Sequence, residues 1–174
     1  MSTQIALLRG INVGRAKRVA MADLRALVEG LGYKDVRTLL NSGNVVFTVP
    51  GAAKGDPASR IEEALETKLG LSSRVTVLTA AELDAIVAGN PLLDVADDPS
   101  RLLVAYFEPQ ARARLKTLAQ QEWAPEVLAV REGVAYVWFP QGILKSRLGE
   151  SLLRDATTTR NWATILKLHA LTRQ

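Results

Sequence analysis

Strand, helix, two strands, helix and strand follow one another in this sequence, and a second, less complete cycle of the same order comes after an acidic connection punctuated by prolines. That order predicts an α+β fold of two tandem ferredoxin-like βαββαβ repeats with antiparallel sheets, the second repeat modified and closed by a C-terminal helix. Two turn signals support it. Asn41-Ser42-Gly43-Asn44 lies between two β-rich runs, and Glu132-Gly133 separates VLAVR from VAYVWF, so each cycle contains a hairpin. The expected organisation is a first repeat over 1–79, a short helix and acidic linker over 80–100, and a second repeat with its C-terminal helix over 101–174.

Residues 4–8, QIALL, read as a short buried strand, and the following RGINVGRAKR has two glycines, four bases and no apolar periodicity, so it is a loop. Met21, Leu24, Leu27, Val28 and Leu31 recur at helical spacing before Gly32, predicting a helix over about 21–31 closed by glycine. Val36–Leu40 is a strand, the Asn-Ser-Gly-Asn turn follows, and VVFTV completes the hairpin. After the loop PGAAKGDPAS, the apolar positions Ile61, Ala64, Leu65 and Leu69 make an amphipathic helix ended by Gly70, and Arg74–Leu78 alternates like a strand. Thr79 caps a short helix. In the second cycle LLVAYF at 102–107 is a strand, a helix runs from Pro109 to about Ala119, and the two runs around Glu132-Gly133 form the hairpin. Residues 147–155 are helical, and the chain ends on a helix from about Arg160 with no obvious final strand before it.

Hydrophobic residues at 48% and charged residues at 23% of 174 positions are globular usage, and the length suffices for a real core. The absence of cysteine excludes disulfides, thiolate metal sites and cysteine nucleophiles. The first apolar run is short, follows no basic segment and leads straight into charge, so a signal peptide is not expected. No stretch approaches the roughly 18 apolar residues of a membrane span, and a cytoplasmic protein with no membrane partner is the expectation. Charge is segregated. Residues 1–22 hold Arg9, Arg15, Lys17 and Arg18 with no acid, and 144–174 hold six bases against two acids, whereas the stretch between has 12 bases and 16 acids. Basic ends that met would attract phosphate, nucleic acid or carboxylate; the alternative is that they solvate two exposed stretches.

LLRGINVG at 7–14, VAMADLRALVEGLGY at 19–33, VRTLLNSGNVVF at 36–47 and ATTTRNWATILKL at 156–168 together resemble the DUF1697 family of uncharacterised bacterial proteins. The resemblance implies a cytoplasmic bacterial protein and supports the two-repeat ferredoxin-like fold. It carries no activity, substrate or catalytic residue.

Two segments are candidate ligand-binding sites. Gly10-Ile11-Asn12-Val13-Gly14 follows a strand but fits neither G-x-G-x-x-G nor G-x-x-x-x-G-K-[ST]; with Arg9 and Arg15 beside it, it reads as a generic anion loop or as a connection shaped by its glycines. A threonine of Thr157-Thr158-Thr159 is expected to cap the last helix, where exposed amides with Arg160 and Asn161 could hold phosphate or carboxylate. The candidate set is therefore Arg9, Gly10, Asn12, Gly14, Arg15, Thr158, Thr159, Arg160 and Asn161. No metal or other cofactor is expected, because one histidine and scattered carboxylates such as Asp94, Asp97 and Asp98 lack ligand spacing. His169 reads as a packed histidine, and Lys145-Ser146 as adjacent residues pointing apart on a helix. Tyr106, Tyr136 and Trp138 lie on strands, where they could stack RNA bases or pack the fold, and packing is favoured because no RNA-recognition pattern accompanies them. Three functions stay open. The first is a binding module for a phosphorylated small molecule or nucleic acid, the two basic segments forming one site. The second is an enzyme on an anionic substrate oriented by Arg9, Asn12 and Arg160. The third is an oligomerisation module, such as a homodimer hiding Trp138.

Overall fold

The computed structural model of the chain describes residues 1–13 and 18–174, so Gly14 and Arg15 of the expected anion loop lie outside the described residues. The chain divides into two compact units, residues 1–84 with 168–174, and residues 85–167.

In the first unit β1 (Ser2–Leu8), α1 (Met21–Gly30), β2 (Lys34–Leu39), β3 (Asn44–Val49), α2 (Pro57–Leu69) and β4 (Val75–Thr79) follow in order. The sheet order is β2-β3-β1-β4 with every pair antiparallel, which is the ferredoxin-like arrangement. Alternate strand residues Ala6, Leu8, Val45, Phe47 and Val75 meet Leu24, Leu27, Val28, Ile61 and Leu65 of the two helices in one core. Each large side chain so buried stabilises by about 1.5–3 kcal/mol. Helix ends follow local chemistry. Asp56 caps α2, its carboxylate accepting from Ser59 N at 3.1 Å, with Pro57 in the first turn and left-handed Gly70 (φ 64°) closing the helix.

The second unit contains β5 (Leu102–Phe107), a 3₁₀ turn over Pro109–Ala111, α4 (Arg112–Ala119), β6 (Val127–Val130), β7 (Val134–Trp138), α5 (Arg147–Asp155) and β8 (Ala156–Asn161). Its sheet order, β6-β7-β5-β8, is again wholly antiparallel and repeats the first topology position for position. Its core sets Ala105, Phe107, Ala135, Val137 and Phe139 against Leu115, Leu118, Leu148 and Leu152. Here the structure corrects one expectation: Thr157–Thr159, read as capping a last helix that starts at about Arg160, belong together with Arg160 to a strand paired with β5, Thr159 opposite Ala105 and Arg160 opposite Val104. Three consecutive β-branched threonines suit a pleated edge better than a helix start. The helix cap falls instead to the last strand residue, Asn161, whose Oδ1 accepts from Thr164 N at 2.9 Å.

Two further helices carry the chain from one unit into the other, α3 (Ala80–Ala88) and α6 (Trp162–Thr172). At the start of α3, Thr79 and Glu82 exchange backbone and side-chain bonds of 2.9 and 3.1 Å, a reciprocal capping box. Among the described residues no helix is long and apolar enough to cross a membrane.

Candidate functional site

Three loops of the first unit meet at the end of the sheet where β1 stops. Leu8 N donates to Gly43 O of the β2–β3 turn (2.9 Å), and Arg9 N donates to Arg74 O of the α2–β4 connection (3.0 Å). Ser73 Oγ donates to Arg9 O at 2.8 Å. Gly43 has φ 85°, and a Cβ there would stand 2.8 Å from both Leu8 and Ile11, so the turn needs glycine for its backbone and for its close approach.

Asn12 locks the loop from within. Its Nδ2 donates to Val19 O and to Asn41 O, both at 2.8 Å, and its Oδ1 accepts from Val19 N at 2.9 Å. Asn12 itself is left-handed at φ 54°, a conformation asparagine tolerates better than most side chains. Both of its amide hydrogens are spent on carbonyls, so its side chain shapes the loop. Gly10, at φ 68° with open space where a Cβ would be, leaves the backbone accessible.

The joined loops carry one sign of charge. Residues 9–20, 40–44 and 70–74 contain no aspartate or glutamate, and they hold Arg9, Arg15, Lys17, Arg18 and Arg74. Arg9, Arg18 and Arg74 are exposed. The α2–β4 contribution, Ser73 and Arg74, was not anticipated; its only sequence signal is the acid-free Ser-Ser-Arg run after the helix-closing Gly70.

The other candidate residues belong to the second unit, on β8 and at its end. Thr158 is buried and Thr159 half-buried. Arg160 Nη1 donates to Thr158 Oγ1 and to Thr159 O, both at 2.7 Å, and desolvation pulls its guanidinium down to about 10. Asn161 is occupied as the α6 cap. The structure thus brings Arg9, Gly10 and Asn12 together in one unit and Thr158, Thr159, Arg160 and Asn161 together in the other.

The remaining chemistry-bearing side chains have local partners. His169 Nε2 lies 2.7 Å from Asp84 Oδ1, and Arg173 Nε lies 3.3 Å from the same ring nitrogen; no local pattern points to that carboxylate, 85 positions away. Ser146 Oγ donates to Glu126 Oε1 and accepts from Gly149 N, each at 2.9 Å, which makes it the cap of α5. Tyr136 and Trp138 are buried, so neither offers a face for base stacking. Among the described residues no group of three or more histidines, cysteines or carboxylates could hold a metal ion.

Two antiparallel four-stranded sheets, each with its helices in ferredoxin-like order and the first ending in an acid-free loop cluster, define a duplicated α+β protein. The family described as "Protein of unknown function (DUF1697)" matches residues 1–136, and the chain belongs to that family. Among solved structures it is similar to the conserved bacterial protein SP0830 from Streptococcus pneumoniae. The TM-score is 0.78 at 23% identity, over 100% of this chain and 99% of that one, a likeness of fold. The chain matches no curated protein.

Proposed function

We propose that this protein is a cytoplasmic anion-binding module whose ligand presents phosphate, either as a phosphorylated small molecule or along a nucleic-acid backbone. The observation that carries this reading is the acid-free loop cluster of the first unit. Three connections bearing Arg9, Arg18 and Arg74 are hydrogen-bonded into one end of a sheet, with no carboxylate in any of them. Loop ends held by hydrogen bonds reduce the ordering cost of binding, and positive potential draws phosphate to them. The burial of Tyr136 and Trp138 speaks for contact through phosphate and against base stacking on the second sheet.

The test is calorimetric titration with pyrophosphate, a nucleoside triphosphate and a single-stranded oligonucleotide, using wild type, Arg9→Ala and Arg18→Ala. Each substitution is expected to weaken binding by about tenfold, the worth of a charge-assisted hydrogen bond. A nucleic-acid ligand declares itself by a log–log salt slope of about −0.7 per phosphate contacted, whereas a nucleotide ligand retains most of its affinity in salt. Equal affinities of wild type and both variants for all three probes would refute the assignment.

A further inference from the structure

The second unit has a cleft of its own, built by residues that neither the loop cluster nor β8 uses. It holds about 400 Å³, the small-molecule end of the range of ligand sites. One wall is the connection from α4 to β6, and the other is the loop from β7 into α5. On the first wall Glu126 N donates to Trp123 O at 2.9 Å, a tight turn that sets Glu122, Trp123 and Glu126 along the cleft. The indole is anchored, its Nε1 donating to Leu118 O at 2.6 Å, so the half-buried ring is a fixed apolar surface. On the second wall stand Lys145, Ser146 and Arg147. Ser146 ties the walls together, its Oγ donating to Glu126 Oε1 at 2.9 Å. That bond holds the half-buried Glu126 carboxylate by one oxygen and leaves the other for a ligand, which lowers the ordering cost of binding there.

Two acids and two bases thus line one cleft, and among the described residues none of the four is ion-paired. Glu150, the acid in the first turn of α5, lines the adjoining cleft and not this one. The formal charges of the lining cancel. A simple anion drawn by Lys145 and Arg147 meets Glu122 and Glu126, and a simple cation drawn by the acids meets the bases, so neither gains from the whole cleft. A molecule that carries both signs gains from each wall at once.

We propose that this cleft binds a small zwitterion of the α-amino-acid class, its ammonium on Glu126, its carboxylate on Lys145 and Arg147, and its side chain against Trp123. The site shares no residue with the acid-free loops of the first unit, so it stands or falls apart from the anion reading.

Calorimetric titration with each of the common free amino acids tests it. At least one is expected to bind. Its N-acetyl derivative, which lacks the ammonium, and its amide, which lacks the carboxylate, should each bind at least about tenfold more weakly, the worth of a charge-assisted hydrogen bond. The free amino acid should lose as much on Glu126→Gln, which keeps an oxygen for Ser146 but not the charge. It should lose as much on Lys145→Gln/Arg147→Gln, where only exposed side chains change. Circular dichroism of both variants should match wild type, and Arg9→Ala, in the first unit, should bind as wild type does. The proposal is overturned if no amino acid binds or if either derivative matches its parent. It is equally overturned if either cleft variant keeps the wild-type affinity, or if Arg9→Ala loses it.

Discussion

Tyr136 projects from β7 with its hydroxyl donated to Ile86 O at 2.7 Å and its ring edge-on to Trp162, 6.5 Å between centroids. Burial raises its phenol above the ordinary tyrosine value of 10.0, partly offset by Arg131. The folded protein therefore holds a proton that the unfolded chain gives up at about pH 10, and this contribution to stability is present below that pH and lost above it. Of the three tyrosines, Tyr136 is expected to ionise late in an ultraviolet pH titration. In Tyr136→Phe that late step disappears, and stability measured by urea unfolding declines less steeply above about pH 10. Arg160 acts in the opposite sense. With its folded value lowered to about 10, its charge costs stability below that pH and the cost is relieved above it. Asn12 shows how far a single residue could be read from sequence. The amide-bearing side chain between two glycines was legible as part of a special loop, but its partners Val19 and Asn41 are fixed by tertiary packing, seven and 29 positions away. Its role in holding the loop could therefore not be read locally.

Among the elements, the β2–β3 turn carries the sharpest local demand. Gly43 and Gly133 have nearly the same left-handed φ, 85° and 82°, but only Gly43 has neighbours where a Cβ would go. Gly43→Ala and Gly133→Ala therefore share the backbone strain, and the former adds overpacking of about 1–3 kcal/mol. Unfolding free energies of the two variants from urea titration should differ by that amount, with Gly43→Ala the less stable; equal values would show that the Leu8 and Ile11 side chains move aside freely. The periodic elements were readable because each had a strong local signal: the Gly70 close of α2, the Thr79 cap of α3, the hairpin glycines. Strand β8 was not, because threonine directly before an apolar helical stretch is also a helix-cap signal, which masks the β preference of the run. Only the free edge of β5 decides between them. The Asp84 partner of His169 was hidden for the same reason, since no local pattern relates residues on two different helices.

The whole molecule is two copies of one topology, yet the first copy is not contiguous in sequence. Residues 168–174 belong with residues 1–84. Leu168 is fully buried, and Arg37 of β2 donates to Leu171 O and to Gln174 Oε1, both at 2.9 Å. The end of α6 is thus structural for the first unit. Leu168→Ala should cost about 2–5 kcal/mol, and deletion of residues 168–174 at least as much. Hydrogen exchange should report the loss at the amides of β1 to β4 more strongly than at those of β5 to β8; equal loosening of both sheets would contradict the division into units.

That discontinuity sets an order of events during synthesis. The last piece of the first unit leaves the ribosome only after residues 85–167 have been made, on the order of ten seconds later at the usual rates of elongation. In that interval the nascent sheet of β1 to β4 exists without the α6 segment that completes it. The second unit can close as soon as its own strands emerge, so the N-terminal half of the chain is the later of the two to reach its finished form.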